Sequence, residues 1–239
     1  MRLLLLASTL IATLLLTACV VDEPVVTKDI VSTIPWQDGE RAEYIRLDRD
    51  NGEERGRGVL TVTRQNGAFE LGLRFSDEQD SDEVVVLVDA TTLKPISVRR
   101  EISLQATTVT GEYDSEEGII RITIIDKEGD ERPVPLRLEE HYYDNESSLF
   151  LWRTILFEEG YEASYYSVLA NQRSHKLVTV RVAGTEEITV PAGTFQTWRV
   201  EIRFDSTNQV AWYADTQERT LVQYDDSRQL MQLTSAAAN

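Results

Sequence analysis

At 239 residues, with 24 basic against 41 acidic side chains and a net charge of −17, the chain is a poor partner for nucleic acid, whose phosphates need Lys and Arg to neutralise them. The same acidity opposes lying flat on an anionic lipid surface and keeps a folded domain in solution. A single cysteine excludes an internal disulfide or a cysteine-built zinc site, and the length describes one domain able to bury about 70% of its unfolded surface.

In chain order, Met1-Arg2 supplies a positive end, and Leu3 to Leu16 is uncharged and Leu-rich. A positive start followed by a short apolar run is the pattern of a secretory signal peptide. The run is shorter than the roughly 20 residues a membrane span requires. It closes in Leu16-Thr17-Ala18-Cys19, which resembles the lipobox of bacterial lipoproteins. That resemblance implies a signal peptide of residues 1–18, cleavage before Cys19, and a diacylglyceryl group on the Cys19 thiol. Each buried methylene adds about 0.8 kcal/mol of membrane affinity, so two or more acyl chains hold stably. Residues 19–35 carry Pro24, early charges and no sustained period, and read as the lipidated Cys and its tether. In a two-membrane envelope, Asp after the lipidated Cys signals retention in the inner membrane. Val20 stands there instead, so the outer membrane is expected; in a cell with one membrane, that membrane holds the anchor.

From 36 to 234 the dominant signal is two-residue alternation, expected of one mainly β domain. Strands fall at 41–48, 57–65, 83–89, 107–114, 118–126, 133–139, 176–184, 209–214, 220–224 and near 229–234. Phe69 to Phe75 and Trp198 to Phe204 alternate most cleanly, which gives each strand one wet face. Ile96, Val98, Ile102 and Leu104 share one face of another strand, with Arg100 intruding on it. Asn51-Gly52 and Asn66-Gly67 read as two-residue hairpin loops. Val190-Pro191-Ala192-Gly193 reads as a type I turn followed by a bulge, with Gly in the left-handed position. Closely spaced hairpins imply an antiparallel meander. One segment departs from this. Leu149, Leu151, Trp152, Ile155 and Leu156 recur at three and four, which predicts a helix near 146–159, started by Asp144 or Asn145 and ended by Gly160. It is apolar on more than one side, so it should pack inside the curve of the sheet.

Chemistry-bearing patterns are sparse. His141 and His175 have no partner at metal-ligand spacing, and no HExxH, H-x-E or G-x-S-x-G pattern occurs. The acidic run Asp77 to Glu83 offers oxygen ligands but lacks the EF-hand order and its Gly; a solvated loop is the reading adopted. Asp48 to Glu53 is read as a hairpin turn. Asn145-Glu146-Ser147 matches a glycosylation sequon of little meaning in a bacterial lipoprotein. No catalytic residue, metal or cofactor is therefore expected. Aromatics gather in the C-terminal half, including Trp152, Trp198, Trp212, Tyr165 and Tyr213. They either line an apolar ligand cavity or fill a β core.

Val190-Pro191-Ala192-Gly193-Thr194-Phe195, followed by the Trp198 to Phe204 strand, Trp212-Tyr213 and Leu221-Val222-Gln223-Tyr224, resembles an uncharacterised family of exported bacterial β proteins with a recurring Val-Pro-Ala-Gly-Thr-Phe turn. Asp89 to Pro95 is similar to that family's strand–turn–strand link. The resemblance implies a single strongly curved antiparallel sheet, a half-barrel or open barrel similar to that of lipoprotein carrier and receptor proteins, which hold acyl chains on the concave face under a helix. On this reading the protein is a non-catalytic, membrane-anchored extracytoplasmic lipoprotein. It binds a lipid or other apolar small molecule in a β cavity, and Trp152, Leu156, Trp198 and Trp212 are the candidate ligand-binding residues. The alternative is a structural lipoprotein of the cell envelope with a filled core and an envelope protein as partner. A hydrolase ranks below both, because no nucleophile and base are paired in the sequence.

Overall fold

The computed structural model describes residues 26–27, 29–129, 133–204 and 207–237. Residues 1–18 and the proposed lipidation site Cys19 lie outside that range. Among the described residues fifteen strands form one sheet. The first eight are β1 (Glu40–Asp48), β2 (Glu54–Gln65), β3 (Ala68–Ser76), β4 (Ser81–Asp89), β5 (Pro95–Ile102), β6 (Thr107–Asp114), β7 (Ile119–Ile125) and β8 (Val134–Arg137). The rest are β9 (Tyr142–Asp144), β10 (Glu162–Leu169), β11 (Ser174–Val190), β12 (Gly193–Phe204), β13 (Thr207–Ala214), β14 (Leu221–Asp225) and β15 (Gln229–Ala237).

The spatial order runs from β8 down to β1, then from β15 down to β9. Two meanders are thus joined where the first and last strands pair, Tyr44 opposite Leu233 and Asp48 opposite Gln229. Every pairing is antiparallel except β9 with β10, which is parallel. The alternation predicted the antiparallel meander, and the single curved open sheet is the one that the family resemblance implied. β9 and β10 escaped sequence reading: β9 is three residues long, and in β10 Ala163, Ser164 and Tyr165 are buried consecutively, so no alternation survives.

The sheet's free edges, β8 and β9, adjoin in sequence and are drawn together by side chains. Tyr113 on β6 stacks on Tyr142 with centroids 5.8 Å apart. The Lys94 ammonium donates to the Tyr142 carbonyl at 2.8 Å and lies 4.0 Å from the Tyr143 ring centroid. Burial there pulls its pKa down to about 8. His175 on β11 bonds through Nε2 to the Arg137 carbonyl at 2.7 Å, which makes it a seam contact. Edge strands left bare invite pairing with other chains, and this seam limits that exposure.

Turn chemistry follows the sequence in part. Asn66 (φ +44°) and Gly67 (φ +86°) form the expected two-residue loop between β2 and β3. The Asn51-Gly52 hairpin is longer than two residues. The Asp48 carboxylate accepts from the Asp50 and Asn51 amides, which winds an extra turn before β2. Val190 pairs directly with Gly193 across a two-residue turn, so the bulge expected after the turn is not formed: the register runs on from the turn to Gly184 without a shift, and Gly193 takes φ +136°. The face drawn through Ile96, Val98, Ile102 and Leu104 needs correction. The register slips between Leu87 and Val88, so Ile96 bulges outward and is 41% exposed, and Leu104 lies beyond the strand end at 74%. Val98, Arg100 and Ile102 keep the inward phase.

The predicted helix is real but shorter. A 3₁₀ turn (Asn145–Ser147), one α turn, α1 (Ser148–Leu151), and a second 3₁₀ turn (Trp152–Thr154) form a continuous plug inside the sheet. The Asp144 carboxylate caps its start by accepting from the Glu146 amide at 2.8 Å. It stops before Leu156 because tertiary partners take its last carbonyls. The Ser32 and Thr33 amides both donate to the Thr154 carbonyl, and the Arg219 guanidinium donates to that of Ile155. Gly160 therefore does not end the helix. The strap responsible falls inside the stretch read as tether: Ile30 is buried there, and the Thr27 amide donates to the Ser164 carbonyl at 2.7 Å.

Candidate functional site

The plug has two faces. Phe150 and Arg153 point toward β1 and the strap. Phe150 meets Trp36 edge to face at 6.1 Å, and Trp36 meets Phe69 in the same way at 5.8 Å. Arg153 forks onto Glu40 with bonds of 2.6 and 2.9 Å, also donates to the Glu218 carbonyl, and lies 5.7 Å from the Trp36 ring. This face is filled and its charges are paired.

The other face carries Asn145, Glu146, Ser148, Leu149 and Trp152, spaced one helical turn apart, and borders a cavity of about 310 Å³. Its apolar walls include Leu73 and Phe75 from β3, Tyr224 from β14 and Met231 from β15. Trp152 is held in place by donating from Nε1 to the Tyr165 hydroxyl at 2.8 Å, with its ring 6.2 Å from that of Tyr224. Its polar lining includes Arg46, Asn145, Glu146, Ser148, Gln209, Asp226 and Gln229. A larger hollow of about 730 Å³ lies between the ends of two hairpins and has no large apolar side chain in its lining.

Behind Glu146 lies a half-buried acidic network around the fully buried Asp144. Arg100 donates through Nη1 to Glu146 at 3.0 Å and through Nε to Asp82 at 2.9 Å. Tyr113 donates its hydroxyl to the Asp144 carboxylate at 2.5 Å. Burial, reinforced by the neighbouring Glu146, raises the Asp144 carboxyl to about 7, and burial raises Glu146 as well. The intruding Arg100 of the sequence is thus the counter-ion of two carboxylates. Of the acidic run Asp77 to Glu83 only residues 77–80 form a loop, since Ser81 opens β4; there Asp77 and Asp80 accept from nearby backbone amides and Ser103, so their carboxylates shape the turn.

Of the four aromatic and apolar residues singled out from the sequence, the structure brings only Trp152 to the cavity. Leu156 follows the plug and is 41% exposed, because the helix that would have turned it inward has already ended. Trp198 packs on Phe157 at 5.9 Å and donates to Asp215, and it is not part of the cavity lining. Trp212 sits on the convex face, where it donates to Glu186 at 2.6 Å beside Arg199, since Trp198 and Tyr213 take the concave positions of the paired strands. Sequence reading missed Arg46. The signal was present: Ala42, Tyr44 and Arg46 share the inward phase of β1, so a charge stands where a core residue belongs.

An open barrel whose interior is plugged by a short helical segment, with one amphipathic cavity left beside the plug, defines the class of this protein. The chain belongs to the family DUF3108, proteins of unknown function, whose profile matches residues 32–235. Two solved structures are similar to it. One is a beta-barrel-like protein of the domain of unknown function DUF1849 from Brucella abortus, at 12% identity and a TM-score of 0.49, covering 86% of this chain and 98% of that one. The other, from Bacteroides fragilis, has a YmcC-like fold and aligns at 13% identity and a TM-score of 0.33, covering 88% of this chain and 100% of that one. Comparison with curated proteins gave no match.

Proposed function

We propose that the protein is an extracytoplasmic lipoprotein, tied to a bacterial membrane through Cys19, that binds an amphiphilic small molecule non-catalytically inside its barrel. The observation that carries the binding reading is the cavity of about 310 Å³, apolar along Leu73, Phe75, Leu149, Trp152 and Met231 and polar at its other side. Ligand sites run from about 300 Å³ upward and combine apolar walls with a few placed polar groups. The likeness of the Val190 to Phe195 turn to that of exported β proteins, and of the fold to acyl-chain-holding half-barrels, supports the same reading. The lipobox supports the anchor, with Val20 favouring the outer membrane where there are two.

Native mass spectrometry of the mature chain, incubated with a membrane lipid extract, tests this. The wild type and Leu156→Asp should retain an adduct of lipid mass, and Phe75→Glu should lose it while melting as a folded protein. A clean unliganded peak for the wild type sinks the binding reading. The anchor has its own test. Cys19→Ser should release the protein from membranes and remove the acyl mass from its N-terminus.

A second reading, an envelope protein acting through its acidic exterior, is favoured by how thoroughly the rest of the interior is filled. Tyr44, Tyr143, Tyr165 and Tyr213 are all fully buried. Crosslinking in intact cells that recovers a defined partner, alongside that unliganded peak, would select it.

A further inference from the structure

Three arginines reach into the barrel, and they differ in one respect. Arg153 is forked onto Glu40. Arg100 is held by Asp82 and Glu146. Arg46 has no carboxylate within ion-pair distance among the described residues, although the chain as a whole carries an excess of acid. Its Nε and Nη2 donate to the Gln229 side-chain oxygen at 3.1 and 2.5 Å, and its guanidinium lies 4.8 Å from the centroid of the Phe75 ring. Its Nη1 has no acceptor among the described residues. A guanidinium half-buried against an aromatic wall has given up part of its hydration, and an amide oxygen returns only part of that cost.

The other cavity acids are already engaged. Glu146 is bonded by Arg100, and one oxygen of Asp226 accepts from the Arg228 and Gln229 amides. Arg219 also lacks a carboxylate partner, but its Nη1 donates to the Arg153 and Ile155 carbonyls of the plug. Arg46 is the one cation in the cavity lining, so an anionic group entering the cavity would meet its complement there.

We infer that the ligand is a single-chain amphiphile with a carboxylate head, its two oxygens on the Nη1–Nη2 edge of Arg46 and its hydrocarbon arm along Phe75, Leu73, Leu149 and Trp152. This rests on the proposed binding function and names the ligand class for that cavity. The planar fork of Arg matches a carboxylate in a bidentate bond, and Gln229 already holds it by its other edge. Asp226 and Glu146 disfavour an anion at their own positions, and Asn145, Ser148 and Gln209 carry no charge, so Arg46 is the lining's one cationic site for the head. A single arm suits a cavity of this volume.

The test uses delipidated protein at neutral pH, titrated with dodecanoate and with dodecanol and followed by calorimetry and by tryptophan fluorescence, Trp152 being the wall reporter. Dodecanoate should bind about ten-fold more tightly than dodecanol or better, and Arg46→Gln should abolish that preference by weakening dodecanoate alone. Equal affinity of the wild type for both probes overturns the carboxylate inference and leaves the binding function standing. So does a preference that survives Arg46→Gln. If neither probe binds and the lipid extract also leaves no adduct, both fail together. The comparison of two probes on the unaltered protein does not depend on the variant folding.

Discussion

The two faces of the internal plug are built from the same ten residues and do opposite things. Toward Trp36 and Glu40, the side chains of Phe150 and Arg153 are buried and paired, and the chain's own strap closes the remaining gap. Toward β3, β14 and β15, Leu149 and Trp152 border open volume, and Arg46 opposite them has no ion-pair partner among the described residues. A buried pair is destabilised chiefly by losing one member, whereas an unpaired charge beside a cavity has room for an outside partner. The contrast teaches that the plug anchors the barrel with one face and borders open volume with the other.

Substitutions should separate the faces. Phe150→Ala empties the filled side and should cost about 4 kcal/mol in urea unfolding. The equivalent truncation on the cavity side, Leu149→Ala, should cost nearer 2 kcal/mol, since part of its surroundings is already open. Equal costs would erase the distinction. Glu40→Ala leaves the Arg153 cation buried without its counter-ion, and a loss of about 3 kcal/mol is expected. A change below 1 kcal/mol would mean that water reaches this pair.

The acidic network next to the cavity should appear as pH dependence. The folded-state pKa of Asp144 is raised to about 7, so the native state holds a proton that the unfolded chain has already released above the usual carboxylate range. Stability from this group is full in acid and is lost as pH rises towards 7, at no more than about 1.4 kcal/mol per pH unit. Asp144→Asn has no such proton, so the wild type should lose stability relative to it across that interval. Parallel stability curves would place the Asp144 proton elsewhere. The smallest effect is expected at Leu156, where a change to Asp should stay within about 0.5 kcal/mol.

Much of the barrel was legible because alternation in β1, β3 and β12 follows directly from having one wet face. The loop at Asn66-Gly67 was legible because few residues tolerate its backbone angles; at Val190 to Gly193 the turn was legible but the expected bulge is not formed, since Val190 pairs directly with Gly193. Legibility ended where contacts between distant residues decided the outcome. Ser32 and Thr33 shortened the helix from outside it, and a register slip turned Ile96 outward. The phase of β13 put Trp212 on the convex face, whereas its neighbour Tyr213 faces inward. Arg46 was visible as a charge in a core phase, yet its want of a counter-ion depends on how Asp226 and Glu146 are already occupied.

By itself, then, the sequence determined the β class, the internal plug and the lipobox resemblance at Cys19, since periodicity, capping and a local motif are properties of neighbouring residues. Tertiary structure alone decided which aromatics meet, which arginine keeps a free edge, and that a cavity remains beside Trp152. Packing volume and charge pairing are sums over residues far apart in the chain, and no local pattern encodes them.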